Sequence, residues 1–347
     1  MGEVLEMRKR NINIDLIKCI AVFSVISVHF FLNSGFYSKI ITDKMYIAIV
    51  FRTLFMICVP LFMITTGYLM KNKTLNKKYY LGISRVLIIY LLDSILYLGY
   101  NAIYNDTAFS IRNIVKSILY FDIGYSWYIE MYIGLFLIIP FINLIYNNLK
   151  NKKQKQMLIL TMFVLTSFQG VFNIKYNLIP EWWISIYPIT YYFIGCYLKE
   201  YKININKYLN VLLLIIALIA SSLVNIYFSK GDTFTWGVYN DWGSIFNVIT
   251  STLIFIFVIN LKLDNISIRV KRIICKVSEL SLAIYLTSSV VDNFLYHNYF
   301  KEVNFLSFSG YFKIVPLVLI LSTSLAMIIN ITYKLIDKYI LKFIVKT

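Results

Sequence analysis

Ten long apolar runs divide this chain, and no other feature limits its fold as strongly. About 20 apolar residues in a helix match the hydrocarbon thickness of a bilayer, and a helix satisfies its own backbone polar groups there. Runs of this kind lie near 14–34, 45–70, 81–104, 127–147, 157–173, 183–198, 208–228, 244–261, 277–297 and 311–333. With 59% hydrophobic and 15% charged residues and a mean hydropathy of +0.70, the chain is far more apolar than a soluble domain. The expected fold is an all-α polytopic integral membrane protein of about ten transmembrane helices, one transmembrane domain over residues 1–347. No internal repeat or second soluble domain is evident.

The formal charge of +17 would suit a nucleic-acid binder if it lay along one face. Instead the Lys and Arg residues cluster between alternate apolar runs, at 8–10, 71–85, 150–155, 199–207, 262–276 and 334–346. By the positive-inside rule this distribution orients a membrane protein with both termini cytoplasmic, and it argues against nucleic acid as a partner. The opposite connections, such as "FNIKYNLIPEWW" and "SKGDTFTWGVYNDWGS", are weakly charged and rich in Trp and Tyr, as an outer interfacial belt would be. No small-residue cleavage pattern follows the first run, so that span is expected to be retained. Cys19, Cys58, Cys196 and Cys275 have no paired spacing, and neither a disulfide nor a metal site is expected.

Within so apolar a chain, polar residues inside the spans are the functional candidates. The stretch "NIDLIKCIAVFSVISVHFFLNSG" holds His29, one of two histidines, roughly 22 Å along a helix that starts near Ile14. Eleven residues separate Lys18 from His29 in register, which returns to nearly the same helix face. Asp15, Lys18, Cys19, Ile26 and His29 therefore make one stripe, with Asn33 a turn beyond, and that stripe suggests a polar cavity running inward. A neutral imidazole accepts a proton, the step that activates a hydroxyl nucleophile. The structural alternative is a histidine that bonds a neighbouring helix. His297, in "FLYHNYF", is expected at an outer interface.

The second run, "AIVFRTLFMICVPLFMITTGYLM", carries Arg52, Pro60 and the cluster Thr65, Thr66 and Gly67. Arg52 cannot shed its proton and needs a carboxylate, carbonyls or water, or else it snorkels to the outer interface. Glu130, at similar depth, is the partner that depth alone suggests. Lys77, Lys78 and Arg85 flank the start of the third run, where they either meet phosphates or merely set topology. Tyr90, Asp93 and Asp292 are further intramembrane polar groups that the sequence does not pair.

The order of these motifs resembles the membrane-bound acyltransferase family three. "D-x-x-K-x-x-A" and then His lie in the first run, "VPLFMITTGYL" ends the second, and Arg85 opens the third. "WYIEMYIGLFLIIP", "YYFIGCYL" and "SLAIYL" follow in the fourth, sixth and ninth. Members of the family are ten-helix bacterial O-acyltransferases of surface glycans, and the resemblance extends over nearly the whole chain. It implies that His29 is the catalytic histidine and that Lys18, in the place of the usual Arg, is its partner. Thr66 replaces the family serine before Gly67 and Tyr68. Of two arginines thought to meet acyl-CoA only Arg85 is present, with Gly82 at the other position, and Ser288 stands where a histidine often follows the ninth-run motif.

The resulting expectation is transfer of an acyl group, most simply acetyl, from cytoplasmic acetyl-CoA to a hydroxyl of a surface polysaccharide or its lipid-linked precursor. His29, Lys18 and Asp15 are the expected catalytic residues. Arg85, Lys78, Lys18, Thr66 and Gly67 are the expected acyl-CoA contacts, and Arg52, Glu130, Trp127 and Asn33 the acceptor contacts. Thr66, Arg52 or the Gly67 backbone would stabilise the oxyanion, and no metal is required. The outer tryptophans, Trp127, Trp182, Trp183, Trp236 and Trp242, either stack on sugars or form an interfacial belt. The expected location is the bacterial plasma membrane, spanned many times, and a homodimer is compatible with the sequence. A covalent acyl-histidine is the alternative route. The competing class is a polysaccharide transporter or flippase, in which His29, Arg52 and Glu130 line a path and no thioester is consumed.

Overall fold

The structure is a computed structural model and describes residues 10–104, 110–119, 121, 123–173, 176–300 and 308–341. Parts of the expected terminal basic clusters (8–9 and 342–346) and of the connection near 174–175 lie outside the described residues. Fourteen α-helices are described: α1 Ile12–Asn33, α2 Tyr46–Phe55, α3 Cys58–Met70, α4 Lys77–Leu81, α5 Ser84–Tyr104, α6 Ile111–Leu119 and α7 Trp127–Asn148. The rest are α8 Lys152–Ser167, α9 Gln169–Phe172, α10 Tyr187–Glu200, α11 Lys207–Ser229, α12 Ile245–Ile259, α13 Ile268–Asn298 and α14 Phe308–Ile336.

Helix occupies all ten apolar runs. Seven of the helical segments are long and apolar enough to cross a membrane, and the chain is a multi-pass all-α protein. The other three runs form α8, α10 and α12, of 16, 14 and 15 residues. The second run differs from the single helix expected over 45–70, because α2 and α3 are separated at Met56 and Ile57. Pro60 explains the break: it has no N–H for the carbonyl four residues back, and its ring crowds that carbonyl, which belongs to Met56.

A second proline is accommodated without a break. Pro140 lies inside α7, which leaves the Phe136 carbonyl without its helical donor. The Tyr79 hydroxyl donates to that carbonyl at 2.6 Å, and its ring stacks on Phe136 at 4.4 Å. In an apolar slab an unpaired carbonyl is expensive, and this substitution of donors, with the Tyr80 hydroxyl donating to the Leu137 carbonyl at 3.3 Å, holds α4 against α7.

Close helix packing relies on small residues where they fall opposite one another. A Cβ at Gly67 would lie 2.0 Å from the Tyr192 carbonyl oxygen, and one at Gly195 would lie 2.1 Å from that of Ile64. α3 and α10 therefore touch backbone to backbone, as small residues permit in membranes. Asn143 on α7 donates to the Met70 and Lys73 carbonyls and accepts from the Tyr192 hydroxyl at 2.7 Å.

α1 runs through the centre of the bundle. Asn11 caps it by accepting from the Asn13 and Ile14 amides, and Asp15 sits in its first turn, where the helix dipole favours a negative charge. It ends at Gly35, whose φ of 77° lets the chain turn out of the helix. One face packs along α13, another against α3, α12 and α14. Its first turn lies at the end of the bundle that carries the basic clusters. At the other end, the connection after Gly35 pairs with the one after α11, where the Ile41 amide donates to the Asp232 carbonyl at 2.8 Å. That pairing builds a second, aromatic-rich end.

Candidate active site

His29 is buried on the face of α1 that meets α13. Its Nδ1 lies 3.5 Å from a carboxylate oxygen of Asp292 and 3.5 Å from the Ser288 hydroxyl. Asp292 follows Ser288 by four residues, so the two present side chains to the same spot from successive turns of α13. Asp292 is 2% exposed, and in such a place an unpaired carboxylate would be costly.

Two further side chains complete the arrangement. The Tyr125 hydroxyl donates to Asp292 at 3.0 Å, and its ring lies against the imidazole, tilted by 37° with centroids 3.7 Å apart. Asn33, one turn beyond His29, donates to the His29 carbonyl at 2.8 Å and to the Tyr125 hydroxyl at 3.0 Å. The Tyr285 hydroxyl in turn donates to the Tyr125 backbone carbonyl. With the carboxylate on the Nδ1 side of the ring, Nε2 is the nitrogen turned away from Asp292. Nε2 makes no hydrogen bond among the described residues.

A cavity of about 200 Å³ lies next to this cluster without including His29 or Asp292 in its lining. Lys18, Leu69, Met70, Thr65 and Thr66 line it together with Val25, one helical turn before His29, and Tyr285, whose ring centre is 6.4 Å from that of the imidazole. The lining is mostly apolar. Such a slot accepts a narrow, flexible chain with few polar atoms rather than a hydrated polymer.

The residues singled out from the sequence are distributed unevenly around this site. Lys18 and Thr66 line the cavity, although the Thr66 hydroxyl donates to the Phe62 carbonyl and is not free to donate elsewhere. Arg85 is exposed, donates to the Glu279 carbonyl at 3.2 Å and lies over the Tyr333 ring. It is near enough to Lys18 for the two charges to interact. Lys78 is exposed on α4, and His297 is exposed at the end of α13.

Three expectations need correction: the place of Asp15, the role of Gly67 and the pairing of Arg52 with Glu130. Asp15 shares a helix face with His29 but not a site, since Arg10 pairs with it at 2.6 Å and the Ser278 hydroxyl donates to it at 2.5 Å, at the basic end. Gly67 does not border the cavity; it is consumed in the contact with Tyr192. Its amide lies inside α3 and is no oxyanion donor. Arg52 and Glu130 form no ion pair: Arg52 is fully buried among aromatic rings near Tyr37, while Glu130 is exposed. Trp127 lies on the aromatic end, stacked on Trp242 at 5.9 Å.

Asp292, Tyr125 and Ser288 are the members of the His29 cluster that sequence reasoning did not assemble. The available signal was a carboxylate in an apolar span, which must have a partner. The identity of that partner depends on α1 lying against α13.

A family model described as an acyltransferase domain matches residues 11–330. No curated protein matches the chain, and no solved structure does.

Proposed function

The chain belongs to acyltransferase family 3, and from that premise we propose that it moves an acyl group, most simply acetyl, from acyl-CoA to a glycan hydroxyl, with His29 as general base. The observation that carries this reading is the buried His29–Asp292 pair next to a cavity lined by Lys18 and by Tyr285, whose ring centre is 6.4 Å from that of the imidazole. In the proposed orientation the basic end faces the cytoplasm and the aromatic end faces out, with ten spans and both termini inside, in a bacterial plasma membrane.

The cavity fits the slender arm of a coenzyme A thioester, with Lys18, Arg85 and Lys78 as cations for its phosphates at the basic end. The acceptor approaches from the aromatic end, past Asn33 and Trp127. His29 Nε2 takes the proton from the acceptor hydroxyl as that oxygen attacks the thioester carbonyl carbon. The new C–O bond forms and the C–S bond breaks; the proton passes from Nε2 to the departing sulfur, so that an ester and a free thiol are the products. Asp292 stabilises the imidazolium that exists between the two proton transfers, and Tyr125 and Asn33 hold both rings in place. The acceptor is a surface polysaccharide or its lipid-linked precursor.

The test is thioester consumption by the lipid-reconstituted protein given acetyl-CoA and surface glycan. Release of the thiol together with acetate esters on the glycan is expected. Glycan movement across the bilayer without thiol release would replace this reading with transport.

A further inference from the structure

Arg52 is 0% exposed, yet its needs are only partly met. Nε donates to the Tyr37 hydroxyl at 3.1 Å, and the guanidinium carbon lies 4.3 Å from the centre of the Trp236 ring and 4.7 Å from that of Phe234. Nη1 and Nη2 have no hydrogen-bond partner among the described residues. Aromatic rings attract the cation but accept none of these N–H groups, so the forked end of the guanidinium is left without acceptors.

The surroundings are rigid and specific to this position. The Ile41–Asp232 pairing sets Tyr37 against Phe234. Asn225 donates to the Thr53 hydroxyl and accepts from Asn240, each at 2.9 Å, which ties α2, α11 and the connection after α11 into one unit. Asp241 is the carboxylate whose charge Arg52 feels, but the Trp242 amide and the Trp236 indole already donate to it, and it forms no ion pair with Arg52 among the described residues.

A line of aromatic rings joins this cation to the His29 cluster. Trp236 contacts Trp242 at 6.4 Å, Trp242 stacks on Trp127, and Trp127 lies two residues from the Tyr125 that covers His29. Trp236 is 46% exposed and Trp127 is 39% exposed. Trp236, whose ring centre is 4.3 Å from the guanidinium carbon, is thus the exposed part of the aromatic cover on Arg52.

We propose that Arg52, Trp236, Trp242 and Trp127 form a subsite for an anionic glycan, in which a carboxylate or phosphate on the acceptor receives the two free guanidinium donors while its sugar rings stack on the indoles. The proposal rests on the reading that a glycan hydroxyl is acylated at His29. It adds that the acceptor carries a negative charge next to the sugar that is modified. Arg is suited to the task because a fork of two donors matches both oxyanions, whereas Lys offers a point charge.

Intrinsic tryptophan fluorescence of the full-length protein in phosphatidylcholine nanodiscs, titrated with methyl glucuronide or methyl glucoside, tests this without any acyl donor. A saturable response about tenfold tighter for the glucuronide is expected, from two charge-assisted hydrogen bonds. Arg52→Gln should abolish the preference and Arg52→Lys, which keeps the charge if the glutamine variant fails to fold, should retain only part of it. Equal affinity for the two glycosides in the wild type, or a preference that survives Arg52→Gln, would overturn the proposal. So would loss of the glucuronide response in phosphatidylglycerol nanodiscs, because lipid phosphate would then be the group that Arg52 holds. The preference without any acyl transfer would keep the subsite and remove the activity; transfer indifferent to acceptor charge would remove the subsite alone.

Discussion

Replacing Asp292 by asparagine tests whether the carboxylate beside His29 participates in proton transfer. The substitution keeps shape and leaves an oxygen for the Tyr125 hydroxyl, which donates to Asp292 at 3.0 Å. It removes the charge that faces Nδ1 at 3.5 Å. At that separation and an effective dielectric of about 20, an imidazolium and a carboxylate attract by about 5 kcal/mol before solvation is counted. At about 1.4 kcal/mol per factor of ten, the ceiling on the rate effect is about 10³-fold. The amide keeps a dipole, so the expected fall in kcat is about 10²- to 10³-fold, with KM for the thioester within about threefold because nothing in the cavity changes. Thiol release by the reconstituted variant, with its thermal unfolding matched to wild type, gives the number. A kcat within about threefold of wild type would refute the argument that Asp292 orients His29 and supports its charge.

Two further outcomes follow from packing and charge. Gly67→Ala places a Cβ 2.0 Å from the Tyr192 carbonyl oxygen, which forces α3 and α10 apart and should destabilise the protein by roughly 1–3 kcal/mol, read as a lower unfolding midpoint in detergent; an unchanged midpoint would show that the contact is not tight. At Glu200, burial opposes ionisation, but hydrogen bonds from Lys155 and Lys71 outweigh it and hold the carboxyl below its ordinary value. A depressed value means that the stabilisation is complete above the ordinary glutamate range and is lost as pH falls through the lowered one. Glu200→Gln should therefore lower the unfolding midpoint near neutral pH and flatten its acid limb; parallel limbs for variant and wild type would contradict this.

Much of the scaffold was legible in the chain because a bilayer imposes a length and a polarity on every span. The ten apolar runs all carry helix, and described members of the basic clusters hold ion pairs near helix ends, Arg10 with Asp15 and Lys155 with Glu200. The break between α2 and α3 was less visible, since Pro60 announces a weakened helix without saying whether neighbouring donors will repair it, as Tyr79 does at Pro140. The stripe on α1 put Lys18 and His29 on one face; Lys18 lines the cavity, and His29 meets Asp292 of α13. Periodicity gives direction around a helix but not what stands opposite, and so Asp15 was grouped with His29 although Arg10 and Ser278 hold it far along the helix. Asp292 was conspicuous as a buried charge, but joining it to His29 requires that α1 and α13, from opposite ends of the chain, lie side by side. Depth matched Arg52 to Glu130 and failed for the same reason, because two residues at one level can face different directions.

The most direct test of the account is thiol release from acetyl-CoA by reconstituted wild-type protein and by folded His29→Ala, each supplied with the same glycan. Wild type is expected to release thiol and esterify the glycan in equal amounts, and the variant to do neither above the protein-free rate. Equal thiol release by the two proteins would contradict His29 as the base.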